Sequence, residues 1–219
     1  MSKEKIVRHS FLVRAVHWLI ALSGLLLLFS GLGQMPMYKR YFISSIPGLG
    51  WSSNYEATLV MHYIAAFIFG AAVLFHLIYH LRRREFGIVP KKGDMGESAK
   101  IIRAMIAKTP EPPSDKYLAE QRVAYAATGA VTLVLLLSGL IKVFKNFGWM
   151  ETDTWLIDAA TLVHTFATPL FLLFFFAHIA AMVIKVNRPL FWTMFSGKID
   201  RAYVEHRHTK WNWKREQLR

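Results

Sequence analysis

The sequence predicts an all-α integral membrane protein, a bundle of four transmembrane helices with both termini in the cytoplasm. Three observations predict it. Four long stretches carry no Asp, Glu, Lys or Arg. Hydrophobic residues make up 54% of the 219-residue chain. The positive charges, net +13, collect in alternate connecting segments. A run of about 20 apolar residues is what a helix needs to cross ~30 Å of hydrocarbon. A helix is the natural form there because lipid offers no partner to an open backbone.

The first span runs from Ala15 to Gly33, after Lys3, Lys5, Arg8 and Arg14. A basic start before an apolar run resembles a signal peptide. No small-residue cleavage site follows, and the run is long enough to span, so it reads as an uncleaved first helix. The loop after it, "YFISSIPGLGWSSNYE", is rich in aromatic and turn residues and holds few cations, as Lys39 and Arg40 precede it. The second span runs from Ala57 to Leu81 and ends on Arg82, Arg83 and Arg84. The middle loop carries six further cations, from Lys91 to Lys116. Within it Ile101, Ile102, Met105 and Ile106 share a helical face, which predicts a short helix on the membrane surface. The third span covers Val123 to Ile141 and the fourth Ala159 to Ile184, with only Lys142 and Lys145 at the edge of the loop between them. A basic tail, 185–219, follows. The positive-inside rule places both termini and the middle loop in the cytoplasm. Charge spread over three segments of a membrane chain reads as topology and contact with anionic lipid, not as a nucleic-acid surface. A four-helix layout implies a single domain, 1–219.

There is no cysteine. That excludes c-type haem attachment, thiolate-held iron–sulfur clusters and disulfides. A bound cofactor must therefore rely on histidine or weaker ligands. Ionisable side chains inside a membrane are costly and mark function. The set here is His17, His62, His76, His80, His164 and His178, whereas His9, His206 and His208 fall in charged tails and read as solvated. His164 and His178 lie fourteen residues apart, nearly four turns, so they project from nearly one face ~21 Å apart along the axis. That separation suits two haem irons stacked across one bilayer, each taking an imidazole from the fourth helix. His62 matches His164 in depth, near the outer surface. Near the inner surface both His17 and His76 match His178, and depth alone does not choose. His76 and His80, four residues apart, offer no third ligand for zinc. With both axial positions of each iron filled, the chemistry is electron transfer and not oxygen binding.

A histidine in "RAVHW" opening the first helix, a histidine opening the second, two histidines fourteen apart on the fourth, and the tail "MFSGKIDRAYVEHRHTKWNWKRE" together resemble a known family. It is the dihaem cytochrome b (gamma) subunit of membrane-bound respiratory formate dehydrogenase. The wider superfamily includes the cytochrome b subunits of nickel–iron hydrogenases and of other molybdopterin oxidoreductases. The resemblance implies two haem b groups, held by His62 with His164 and by His17 with His178, leaving His76 as the alternative. It implies a quinone site near the inner haem, formed partly by "DKYLAEQRVAY", where Lys116, Tyr117 and Gln121 match the family pattern. Leu118 stands where that pattern leads to asparagine, and Glu120 where it leads to glycine.

The expected function follows. The chain is a membrane-anchoring electron-transfer subunit of the bacterial inner membrane. It accepts electrons from an iron–sulfur partner and passes them through two haems to menaquinone or ubiquinone. A separate molybdopterin subunit oxidises the substrate, formate, and the chain itself has no site for it. One rival is a cytochrome b of a hydrogenase or another molybdopterin oxidoreductase. The other is a cofactor-free membrane anchor.

Overall fold

The computed structural model describes residues 4–35, 38, 40, 43–149 and 154–214. Tyr41 and Phe42 of the aromatic outer loop, Lys39, and the last residues of the tail lie outside the described residues. Four helices are long and apolar enough to cross a membrane: α1 (Phe11–Gly33), α2 (Tyr55–Arg83), α4 (Ala119–Asn146) and α5 (Thr154–Val183). The short helix α3 (Asp94–Ala107) precedes α4. After α5 come α6 (Arg188–Ser196), a strand, and α7 (Arg201–Arg207).

The spans are longer than the uncharged runs that predict them, at 23, 29, 28 and 30 residues. An uncharged run marks only the hydrocarbon. The helix continues through the headgroup layer, where Arg82, Arg83, Glu120 and Lys145 are tolerated. Large apolar side chains of the spans, Phe67, Phe166 and Phe176 among them, stay exposed, as lipid-facing positions do. Pro169 sits inside α5 between His164 and His178 and removes one N–H from the helical ladder there.

The chain forms two compact units, Leu12–Arg83 and Met1–Phe11 with Arg84–Arg219. In the first, α1 and α2 are joined through two short 3-10 turns, Ile43–Ser45 and Gly50–Ser53. Asn54 caps α2, its Oδ1 accepting the Ala57 N–H at 3.1 Å. Ser52 donates its hydroxyl to the Leu49 carbonyl at 2.5 Å, so the Tyr38 hydroxyl donates to Ser52 Oγ at 2.6 Å. Gly33 closes α1 against this loop. A Cβ there would lie 2.7 Å from the Ser52 carbonyl oxygen and 2.9 Å from Thr58 Cγ2. One of those neighbours is backbone and cannot turn aside. Gly33→Ala is expected to destabilise the unit by about 1–3 kcal/mol, read as a lowered Tm in detergent, whereas Gly96→Ala, which meets nothing, is expected to leave Tm unchanged or raise it.

In the second unit α4 packs along α5, and α3 packs on the start of α4. The apolar face expected of α3 is divided. Ile101 is fully buried with Leu118 and Ala119, and Met105 packs on them, while Ile102 and Ile106 are exposed. Residues one position apart differ by about 100° around a helix, so one half of the stripe meets α4 and the other is left to the membrane surface. A short sheet that the sequence reading did not anticipate joins the two ends of the chain. Strand β1 (Lys5–Val7) pairs antiparallel with β2 (Lys198–Asp200), Ile6 opposite Ile199. Both isoleucines point into a core with Leu190, Val204 and Trp211. Gly197, at φ +75°, ends α6, and its carbonyl accepts the N–H groups of Arg8 and His9. Pairing of the segment before the first span with the segment after the fourth puts both on one side of the membrane, as the charge bias requires.

Candidate functional site

His62 and His164 each meet a serine on the neighbouring helix. In the first unit His62 Nδ1 lies 2.8 Å from Ser30 Oγ. In the second, His164 Nδ1 lies 3.0 Å from Ser138 Oγ. Both serines are buried, and both back-bond along their own helix, Ser30 to Leu26 O and Ser138 to Val134 O, each at 2.7 Å. A hydroxyl has one proton and a carbonyl can only accept. The hydroxyl can turn its proton to that carbonyl and so accept from the ring. In the tautomer that donates from Nδ1 to the serine, Nε2 is the nitrogen able to ligate iron.

The residue after each serine is glycine. A Cβ at Gly31 would lie 3.5 Å from His62 Cε1, and one at Gly139 only 3.3 Å from His164 Cε1. At Gly139 the ring would have to give by a few tenths of an ångström, whereas at Gly31 the distance is an ordinary contact. A Cβ at Gly24 would lie 3.4 Å from the Phe69 ring. Ser30 and Ser138 were not singled out from the sequence. Their signal was there in the serine–glycine dipeptides inside the apolar runs "LFSGLG" and "LLLSGLI".

His17 and His76 both belong to the first unit. The His17 ring stands edge-on to Trp18 at 5.6 Å between centroids. The His76 ring lies 4.5 Å from that of His80. His76 and His80 line a cleft of about 10 Å³ with Leu12, Val13 and Val16 of α1 and with Phe75 and Tyr79, which is room for one water at most. His76 thus faces the α1 turn that precedes His17. His178 is exposed on α5, where hydrocarbon alone would be a poor environment for imidazole. The donor set fits a haem iron: it is histidine nitrogen, and Nε2 of His62 and His164 is the ligating atom when Nδ1 donates to its serine.

The three residues matched to a quinone site are engaged at the start of α4. Gln121 Oε1 accepts the Leu118 N–H at 3.2 Å and caps the helix. Lys116 Nζ lies over the Trp211 ring at 5.4 Å and over the Tyr117 ring at 5.9 Å. Arg8 stacks on the same two rings and donates from Nη2 to the Lys116 carbonyl. Leu118, where the family pattern leads to asparagine, is buried against Ile101 and offers no polar group.

The tail is a built structure. Arg207 donates to Glu111 at 2.9 Å, to Asn187 Oδ1 at 2.6 Å and to the Tyr203 hydroxyl at 2.8 Å. Asn187 in turn donates to the Ala181 carbonyl on α5. His208, read from sequence as solvated, is 1% exposed. The residues that bury it are supplied by segments far away in the chain. Its Nδ1–H donates to the Asp115 carbonyl at 2.6 Å. Burial, with the charge of Arg8, lowers its pKa to about 4. Above pH 6.5 the ring is neutral whether folded or unfolded, and the stabilisation is complete. Between pH 6.5 and about 4 the unfolded chain binds a proton that the folded chain does not. Stability should fall by about 3 kcal/mol across that window. Tryptophan fluorescence of thermal unfolding reads this through Trp211, and His208→Gln should flatten the pH slope. An unchanged slope would place the titration elsewhere.

The sequence profile of the prokaryotic cytochrome b561 family matches residues 8–197, an interval that contains every intramembrane histidine and all four spans. The chain belongs to the prokaryotic cytochrome b561 family. It is also 25% identical over 219 aligned residues, 96% of this chain and 92% of the relative, to the cytochrome b556(Fdn) subunit of nitrate-inducible formate dehydrogenase of Escherichia coli K12. The same subunit in Escherichia coli O157:H7 and in Shigella flexneri matches equally well. Membership of a cytochrome b family implies haem b, and with four apolar spans it makes this cytochrome b561 an integral protein of the inner membrane. Its relation to the formate dehydrogenase cytochrome b agrees with the resemblance seen in the sequence.

Proposed function

We propose that this cytochrome b561 is the membrane electron-transfer subunit of a respiratory formate dehydrogenase, carrying electrons from an iron–sulfur partner to quinone. The observation that carries the reading is the pair of intramembrane histidines, His62 and His164, each with Nδ1 within hydrogen-bond distance of a buried serine. Haem, when bound, supplies one-electron transfer at a potential tuned by its axial ligands. His62 and His164 serve the outer haem, an assignment resting on their depth in the apolar runs. His17 and His178 serve the inner one, and preference for His17 over His76 rests on the family resemblance.

What the chain does is bind, orient and exclude. The uncharged spans keep water and counter-ions from the transfer path. No intramembrane carboxylate lines the runs, so proton uptake belongs at the cytoplasmic surface, where the quinone would be reduced. Lys116, Tyr117 and Gln121 are the proposed quinone contacts. With its carbonyl committed to the helix cap, Gln121 has its amide left to donate. Formate itself is handled by the catalytic molybdopterin subunit.

The test is spectroscopic. A pyridine haemochrome assay on the purified chain should find two haem b per polypeptide, both low-spin. A colourless preparation would make it an anchor, and one haem per chain would defeat the dihaem assignment. If Gln121→Leu and Tyr117→Phe both leave quinone reduction unchanged, the quinone site lies elsewhere.

A further inference from the structure

The same arrangement occurs twice, independently, in the two compact units. A serine hydroxyl bonds back to the carbonyl four residues earlier and lies within hydrogen-bond distance of a histidine Nδ1 on the next helix, with a glycine next to it in sequence. The serine–histidine separations in sequence, 30 to 62 and 138 to 164, differ, yet the atoms are the same and the distances are 2.8 and 3.0 Å. We propose that Ser30 and Ser138 are a matched pair of positioning residues that set the ring orientation, tautomer and basicity of His62 and His164. The proposal rests on the reading of those two histidines as haem ligands.

The physical consequence has a sign. Hydrogen donation from Nδ1 to an acceptor makes Nε2 a stronger base. A more basic axial ligand favours the ferric over the ferrous state and lowers the midpoint potential. A neutral hydroxyl does this weakly and without burying a charge, which a carboxylate partner in the membrane would require. With iron on Nε2 the one ring proton is on Nδ1, and the serine, its own proton turned to the Leu26 or Val134 carbonyl, accepts it.

The experiment uses Ser30→Ala and Ser138→Ala in the full-length chain purified with its partner subunits. Haem is counted, the alpha band is followed in a potentiometric titration, and the low-spin EPR g-values are recorded. Both variants should move the same haem to a higher midpoint, with a severalfold rise in its ferrous-to-ferric ratio at fixed potential, shifted g-values, and no change at the other haem. Ser→Thr at each position keeps the hydroxyl and should restore the wild-type midpoint and haem content. Unchanged potential and g-values in the alanine variants at full haem content would overturn the proposal. So would a threonine variant that behaves like alanine. Absence of haem from the unaltered chain would instead overturn the ligand assignment, and movement of different haems by the two serines would overturn the pairing of His62 with His164.

Discussion

His164→Ala is expected to halve the haem content, from two per chain to one, and to abolish electron transfer to quinone. His164 is gripped on two sides, by Ser138 at Nδ1 and by the backbone at Gly139, with a Cβ there only 3.3 Å from Cε1. Alanine leaves no group that can reach the iron from the same turn. His62→Ala should remove the same haem. On the inner side His17→Ala is expected to remove the other haem, while His76→Ala keeps both. His76 already has its ring against His80 and lines a cleft too small for more than one water. Haem counting after each substitution checks the set. Loss of a haem from His76→Ala with retention in His17→Ala would show that the fourteen-residue spacing on α2, which repeats that on α5, was the better guide.

Asp94→Ala should cost about 3–5 kcal/mol, the usual effect of removing one member of a buried ion pair. Arg122 donates to both Asp94 oxygens, at 2.7 and 2.6 Å, and also to the Tyr117 carbonyl. Both side chains are about 95% buried. Without Asp94 the buried guanidinium would keep only the half-exposed Glu97, at 4.0 Å, close by to balance it. The double substitution Asp94→Leu with Arg122→Met removes both charges and should recover most of the loss. Thermal unfolding of the single and double variants measures this, and a double variant as unstable as the single one would refute it. The pair also resists acid. The Arg122 side chain holds the Asp94 carboxyl down to about 2. This contribution is complete above about pH 4 and is lost as the pH falls through about 2. Between pH 6.5 and 4 the acid weakness of the cytoplasmic side is therefore expected at His208, not here.

The four spans and the histidines within them were legible in the chain because they are local properties. An uncharged run of sufficient length has one low-energy form in lipid, and a rise of 1.5 Å per residue converts sequence spacing into depth. That arithmetic leads to the expectation that His164 and His178 are stacked and that His62 matches His164 in depth. It left His17 and His76 equal, because depth is one coordinate and ring direction is another. Tertiary structure decided what depends on contact between distant segments. Ser30 and Ser138 became partners of histidines 32 and 26 residues away, which no periodicity encodes. Ile6 met Ile199 across a strand pair, because two three-residue strands gain stability only from each other and from the core beneath them. His208 was buried because Ser114, Asp115 and Arg8 arrive from elsewhere to enclose it. Gln121 became a helix cap because α4 begins two residues before it. In a membrane protein the solvent selects the spans from the sequence alone, and partner choice among the polar groups is left to packing, where donors and acceptors must be matched atom by atom.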